Sequence, residues 1–124
     1  MGRCVAEKMK EVYGTRPEDL TAAIGPSICR SCYEVSEDVA EAFRKAFRGP
    51  GQADALLIDK EKGKYQLDLW RANQIVLEEA GILADKIQVT DVCTCCNPDY
   101  LFSHRASQGK RGNLGAFLGL LPAN

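Results

Sequence analysis

The amino-acid sequence predicts an α+β fold in which helices flank a mixed β-sheet. Two observations carry that expectation. Segments with helical and with strand periodicity follow one another without the clean alternation that builds a doubly wound parallel sheet. The length of 124 residues, with 45% hydrophobic side chains, is enough for one core, and five Pro and eleven Gly are ordinary. No internal repeat, low-complexity tract or linker divides the chain.

The first thirteen residues read as a helix, with Val5, Met9 and Val12 on one stripe and Gly14 as the residue beyond its end. Residues 15–19 form a turn, and Leu20 to Ile24 reads as a short buried strand stopped by Gly25-Pro26. Ser36 caps a second helix whose first turn carries Glu37 and Asp38 at the positive end of the dipole. Val39, Phe43 and Phe47 give that helix its apolar stripe, and Arg48-Gly49-Pro50-Gly51 breaks it. Ala55–Ile58 and Lys64–Leu67 read as a hairpin across residues 59–63. Asp68 caps a third helix with Leu69, Ala72, Ile75, Val76 and Ala80 on its inner face, and Gly81 ends it. Residues 86–92 alternate as a strand. Residues 93–112 form a long polar loop, and Asn113–Leu121, apolar throughout, reads as a buried last strand.

Sixteen Lys+Arg against seventeen Asp+Glu give a net charge of −1, so the field that attracts nucleic acid is missing. No apolar run approaches the roughly 18 residues that span a bilayer. Neither nucleic acid nor membrane is therefore expected as a partner. The charged first residues do not form a secretion signal, so the location expected is cytoplasmic and the six Cys are expected as reduced thiols.

The chemistry-bearing residues concentrate between Asp91 and Asn113. A loop of roughly twenty residues is uncommon in a compact domain unless it is functional or disordered, and the apolar Tyr100-Leu101-Phe102 disfavours disorder. It contains the single histidine, His104, so any histidine proton transfer within the chain must use it; the alternative is an exposed loop histidine with no role. Cys93 is a candidate nucleophile that His104 could activate, with a small core residue as the alternative. Lys110 and Arg111 between Gly109 and Gly112 suggest anion binding, since glycines let N–H groups turn outward and arginine offers a fork to phosphate. The alternative is a solvated turn. Cys29 and Cys32 form C-x-x-C, and Cys93, Cys95 and Cys96 form C-x-C-C. Four of these could supply thiolates for zinc, but the long separation and the lack of knuckle glycines weaken that reading; the alternative is cysteines held for structure.

Ala22-Ala23-Ile24-Gly25-Pro26-Ser27-Ile28, Cys32-Tyr33-Glu34-Val35, Asp68-Leu69-Trp70-Arg71-Ala72-Asn73, Cys93-Thr94, Phe102-Ser103-His104-Arg105 and Gly109-x-Arg111-Gly112 follow one another in this order. On these motifs the chain, from about Gly2 to Leu121, resembles the laccase-domain family. Its members are also called multicopper polyphenol oxidoreductases and purine nucleoside phosphorylases. The resemblance implies a layered α+β sandwich, of which residues 1–124 would be the C-terminal part. It implies phosphorolysis of adenosine and inosine, with adenosine deamination, so nucleoside and phosphate as partners. Ser103 and Arg105 then join Lys110 and Arg111 as candidate substrate- or phosphate-binding residues, beside Cys93 and His104 as catalytic ones.

The family's zinc is held by two His and one Cys in segments preceding the matched stretch. No metal ligand is therefore carried onto this chain, and zinc, or copper as the alternative, is expected only in the full-length enzyme. His104 stands where many relatives have Tyr, and Ala106-Ser107-Gln108 departs from their Arg-Asp-Gly. Alone, the chain is expected to be inactive unless a further segment or partner supplies the ligands, and to associate through apolar edges. The competing readings are a copper polyphenol oxidoreductase, for which one histidine is few, and a non-enzymatic α+β module.

Overall fold

The computed structural model describes residues 1–123; Asn124, the end of the expected domain, lies outside them. Helix α1 (Gly2–Tyr13) ends at Gly14, whose φ of 66° is left-handed and whose N–H reaches the Lys10 carbonyl. Strand β1 (Ala22–Ile24) follows, then β2 (Glu34–Ser36), α2 (Glu37–Ala46), the short α3 (Gln52–Leu56), β3 (Leu57–Asp59), β4 (Lys64–Leu67), α4 (Leu69–Glu79) and β5 (Ile87–Val89). Asp68 caps α4 by accepting the Arg71 N–H at 2.9 Å.

Helices pack on parallel and antiparallel strands, as the α+β expectation has it, but the strands form two small sheets. β1 and β5 pair in parallel, Ala22 beside Ile87 and Ile24 beside Val89. The other sheet is antiparallel with order β2-β4-β3. The β3–β4 hairpin closes through left-handed Glu61, Lys62 and Gly63, with Asp59 Oδ1 accepting the Glu61 N–H at 2.7 Å.

One core joins the layers. Val35 of β2, Ala40 of α2, Leu56 of α3, Tyr65 and Leu67 of β4, and Ala72 and Ile75 of α4 are buried together. Leu56 and Leu67 are fully enclosed, each contributing about 1.5–3 kcal/mol by burial. Val39, Phe43 and Phe47 pack on this core as their spacing predicts, the two phenyl rings stacked at 5.6 Å. Helix α4 also packs against α1 and against both parallel strands, so it ties the two sheets together.

Three expectations are corrected. Residues 55 and 56 belong to helix α3, not to a strand; the chain extends only from Leu57. The strand expected over residues 86–92 spans only Ile87–Val89. Asn113–Leu121 forms no strand, and Phe117, Leu118, Leu120 and Leu121 are exposed. An apolar run becomes a strand only beside a neighbour that takes up its backbone groups, and no strand among the described residues pairs with it.

Candidate functional site

The ends of the parallel strands set up the site. Beyond β1 and β5 the ladder continues: Thr90 N–H donates to the Ile24 carbonyl at 3.0 Å, and Ser27 and Cys93 form a parallel bridge. Between these points the β5 side contains one residue more, and Asp91, at a φ of 54°, takes up the bulge. The Ser27 N–H donates to Val92 and the Thr94 N–H to Ser27, at 3.2 Å each. Two loops are thereby laid side by side, residues 27–33 along residues 93–97.

This alignment brings the cysteines together. Cys29 and Cys93 are 64 residues apart, and so are Cys32 and Cys96. The Sγ atoms of all four lie within 4.8 Å of one another and could hold a metal ion. The expectation that no residue of this chain ligates a metal is revised accordingly. Two C-x-x-C pairs form the group; Cys95, which makes the second pair look like C-x-C-C in the sequence, stands outside it. Cys93 Sγ accepts the backbone N–H groups of Cys29 at 3.2 Å and Cys96 at 3.4 Å. Burial pushes the Cys93 thiol up, but these donors outweigh it and bring the group down to about 6. Cys32 Sγ lies 3.4 Å from Cys96 Sγ, and that contact, with burial, holds the Cys32 thiol well above its ordinary value. All six cysteines are free thiols.

Beside the cluster opens a cleft of about 640 Å³, lined on one side by Ser27, Ile28, Tyr33 and Thr94 and on the other by residues 102–105 and 111–114. Trp70 of α4 supports the first of these sides, Nε1–H donating to Ser27 Oγ at 2.6 Å. Four of the six candidate residues line the cleft: Ser103, His104, Arg105 and Arg111. The Arg105 guanidinium lies over the Tyr33 ring at 5.4 Å and donates to the Glu34 carbonyl at 3.2 Å. Arg111 Nη1 donates to the Gly112 carbonyl and to Asn113 Oδ1, each at 3.0 Å. Buried Ser103 organises the turn: its Oγ accepts the Ala106 N–H and its carbonyl accepts the Ser107 hydroxyl at 2.6 Å. The His104 carbonyl accepts the Gly109 N–H at 2.9 Å.

The other two lie elsewhere. Lys110 is exposed and does not line the cleft, its N–H donating to the Ser107 carbonyl at 3.1 Å. Cys93 is buried in the thiol cluster, and among the described residues no hydrogen bond joins it to His104. The donors lining the cleft do not fit the zinc or copper centre that the family resemblance implies. They include one imidazole and no thiolate or carboxylate, whereas a catalytic centre of that kind takes about three protein ligands.

Comparison with known proteins agrees with the sequence motifs. The family model described as multi-copper polyphenol oxidoreductase laccase matches residues 1–121. A Bacillus subtilis protein named purine nucleoside phosphorylase YlmD is 37% identical over 123 residues, covering 99% of this chain and 43% of its own length. A protein from an unidentified prokaryote, named adenosine deaminase RL5, is 36% identical over 105 residues, covering 85% of this chain and 39% of itself. Among solved structures, the Bacillus licheniformis protein YfiH superposes with a TM-score of 0.84 at 32% identity, over 90% of this chain and 41% of that one. The chain thus spans less than half the length of these relatives.

Proposed function

Because the chain belongs to the multi-copper polyphenol oxidoreductase laccase family, we propose that residues 1–124 form the C-terminal part of a purine nucleoside phosphorylase domain and supply its phosphate- and nucleoside-binding wall. The observation that carries this reading is the convergence of Arg105, Arg111 and His104 on a cleft walled by Tyr33 and Phe102. Phosphorolysis joins two unlike reactants, an anion and a flat heterocycle. Guanidinium forks suit the first, and exposed aromatic faces suit the second. Arg105 and Arg111 each retain N–H donors beyond those spent on the chain. Lys110 adds charge on the same loop, and Ser103 fixes the loop's shape while its hydroxyl proton remains available.

In this reading an oxygen of bound phosphate forms a bond to C1′ of the ribose as the C1′–N9 bond breaks. The bonding pair leaves with the purine, which takes up a proton, with His104 as the candidate donor lining the cleft. The products are ribose 1-phosphate and the free base. A metal assisting this step would need donors beyond those lining the cleft, and we assign Cys93 to the thiol cluster, not to nucleophilic attack. Adenosine deamination, which appears in one relative's name, would replace the exocyclic amine with a water oxygen and release ammonia.

The exposed run from Phe117 to Leu121 supports a chain that works against further protein surface. No helix among the described residues is long and apolar enough to cross a membrane, and free thiols fit a reducing cytoplasm. The test incubates the protein with inosine and inorganic phosphate, alone and mixed with the part of the Bacillus subtilis relative that this chain does not cover. Phosphate-dependent release of hypoxanthine is expected in the mixture. Its absence from both samples would overturn the reading, and ammonia from adenosine would add the deaminase activity.

A further inference from the structure

We infer that Cys29, Cys32, Cys93 and Cys96 form a structural tetrathiolate zinc site that clamps together the two loops walling the cleft. The inference rests on geometry and does not depend on the reaction proposed for the cleft. A zinc ion with Zn–S bonds of about 2.3 Å in a tetrahedron sets its sulfurs about 3.8 Å apart. Here all four Sγ atoms fall within 4.8 Å of one another, and the closest pair, Cys32 and Cys96, is at 3.4 Å. Side-chain movements of a fraction of an ångström complete the tetrahedron.

The backbone around the sulfurs is shaped for the same purpose. Each C-x-x-C pair sits on a tight turn: Cys32 N–H donates to the Cys29 carbonyl at 3.1 Å, and Cys96 N–H donates to Cys93 Sγ at 3.4 Å. The second N–H on Cys93 Sγ comes from Cys29, on the opposite loop. Such donors stabilise sulfur as thiolate, the form that binds metal. Neighbouring side chains hold both turns. Asn97 Nδ2 donates to the Cys93 carbonyl at 2.7 Å, and Gln66 Nε2 of β4 donates to the Ser31 carbonyl at 3.0 Å.

Four protein thiolates close the coordination sphere, which is the pattern of a structural zinc rather than a catalytic one. The location gives the ion its task. Ser27, Ile28 and Tyr33 flank one pair and Thr94 lies within the other, and these four residues form one wall of the cleft. Binding converts thiols to thiolates and releases their protons, with no change of oxidation state.

The test uses reduced protein. Metal analysis of the chain purified without added chelator should give one zinc per chain and substoichiometric iron and copper. Cobalt(II) added to the metal-free chain should give the absorption of a tetrahedral tetrathiolate centre, with intense sulfur-to-cobalt charge transfer. Cys32→Ser should abolish that spectrum and the bound zinc, while Cys4→Ser and Cys95→Ser retain both. Zinc should raise the thermal midpoint of the metal-free wild-type chain, a readout that survives if Cys32→Ser fails to fold. A metal-free reduced protein with no cobalt spectrum, stoichiometric iron or copper, or zinc kept by Cys32→Ser would each overturn the inference.

Discussion

The Trp70 indole N–H donates to Ser27 Oγ at 2.6 Å, joining helix α4 to the residue that bridges Cys93 at the end of the parallel ladder. Ser27 therefore carries two tethers, a side-chain bond to α4 and backbone bonds to Val92 and Thr94. The position of this cleft wall relative to the core depends on both.

Removing the hydroxyl should destabilise the chain, because it leaves a half-buried indole donor without its partner. Ser27→Ala is expected to cost about 1 kcal/mol, within the 0.5–1.5 kcal/mol of a typical bond. Trp70→Phe should cost more, since it also removes packing. The double variant should cost less than the sum of the two, and a double-mutant cycle by urea unfolding reads the difference. Strict additivity would mean that the bond contributes nothing.

Gly81 tests the far end of α4. Its φ is 98°, and a Cβ built there would lie 2.8 Å from Pro17 Cβ. Gly81→Ala therefore combines a left-handed backbone with a steric clash and should cost more than about 1 kcal/mol. Gly14→Ala has φ 66° but open space around the new methyl, so it should cost about 1 kcal/mol or less. Thermal unfolding of the two variants side by side ranks them, and equal losses would remove the Pro17 contact from the explanation.

What the sequence revealed follows from how local each signal is. Gly14, Asp68 and the stripe of Val39, Phe43 and Phe47 act within one element, and the structure matches them. Strand β2 escaped notice because three residues, Glu34–Ser36, are too few for periodicity and owe their pairing to Tyr65 and its neighbours on β4. The thiol cluster depends on pairing across 64 residues, which no spacing rule reports, and Cys95 disguises the C-x-x-C of Cys93 and Cys96. In the cleft, Arg105 and Arg111 could be picked out by residue type, but Lys110, equally basic, points elsewhere because the turn at Gln108 and Gly109 directs the backbone.

Acid should weaken the antiparallel half of the fold through Glu37. The Tyr65 hydroxyl, then the Arg44 guanidinium at 2.7 Å, holds this carboxyl below its ordinary value near 4.5. A depressed carboxylate contributes stability that is fully present above the unfolded-state value and is lost as pH falls through the folded-state one. Wild type should therefore exceed Glu37→Gln in urea midpoint at pH 7, and the gap should shrink once the pH drops below about 4.5. A gap that stays constant or widens on acidification would remove Glu37 from the account.

In the proposed phosphorolysis, assayed with the complementing part of the relative, the two cleft arginines should separate, because they are held differently. Among the described residues, the hydrogen bonds of the Arg111 side chain stay within its own segment, to the Gly112 carbonyl and Asn113. Arg105 also spans to the opposite wall, over Tyr33 and onto the Glu34 carbonyl. Arg111→Met should therefore act on phosphate alone. Losing one charged hydrogen-bonding partner costs about 1.5–3 kcal/mol, which is roughly a tenfold to hundredfold rise in KM for phosphate with KM for inosine unchanged. Arg105→Met should raise both constants, since it releases the Tyr33 wall as well as an anion donor. Arg105→Lys should leave the inosine defect in place, because an ammonium cannot spread over the ring and reach the carbonyl as a planar guanidinium does. Steady-state kinetics with each substrate varied in turn reads these constants. If Arg111→Met raised KM for inosine and spared phosphate, the anion would have to bind on another surface of the cleft.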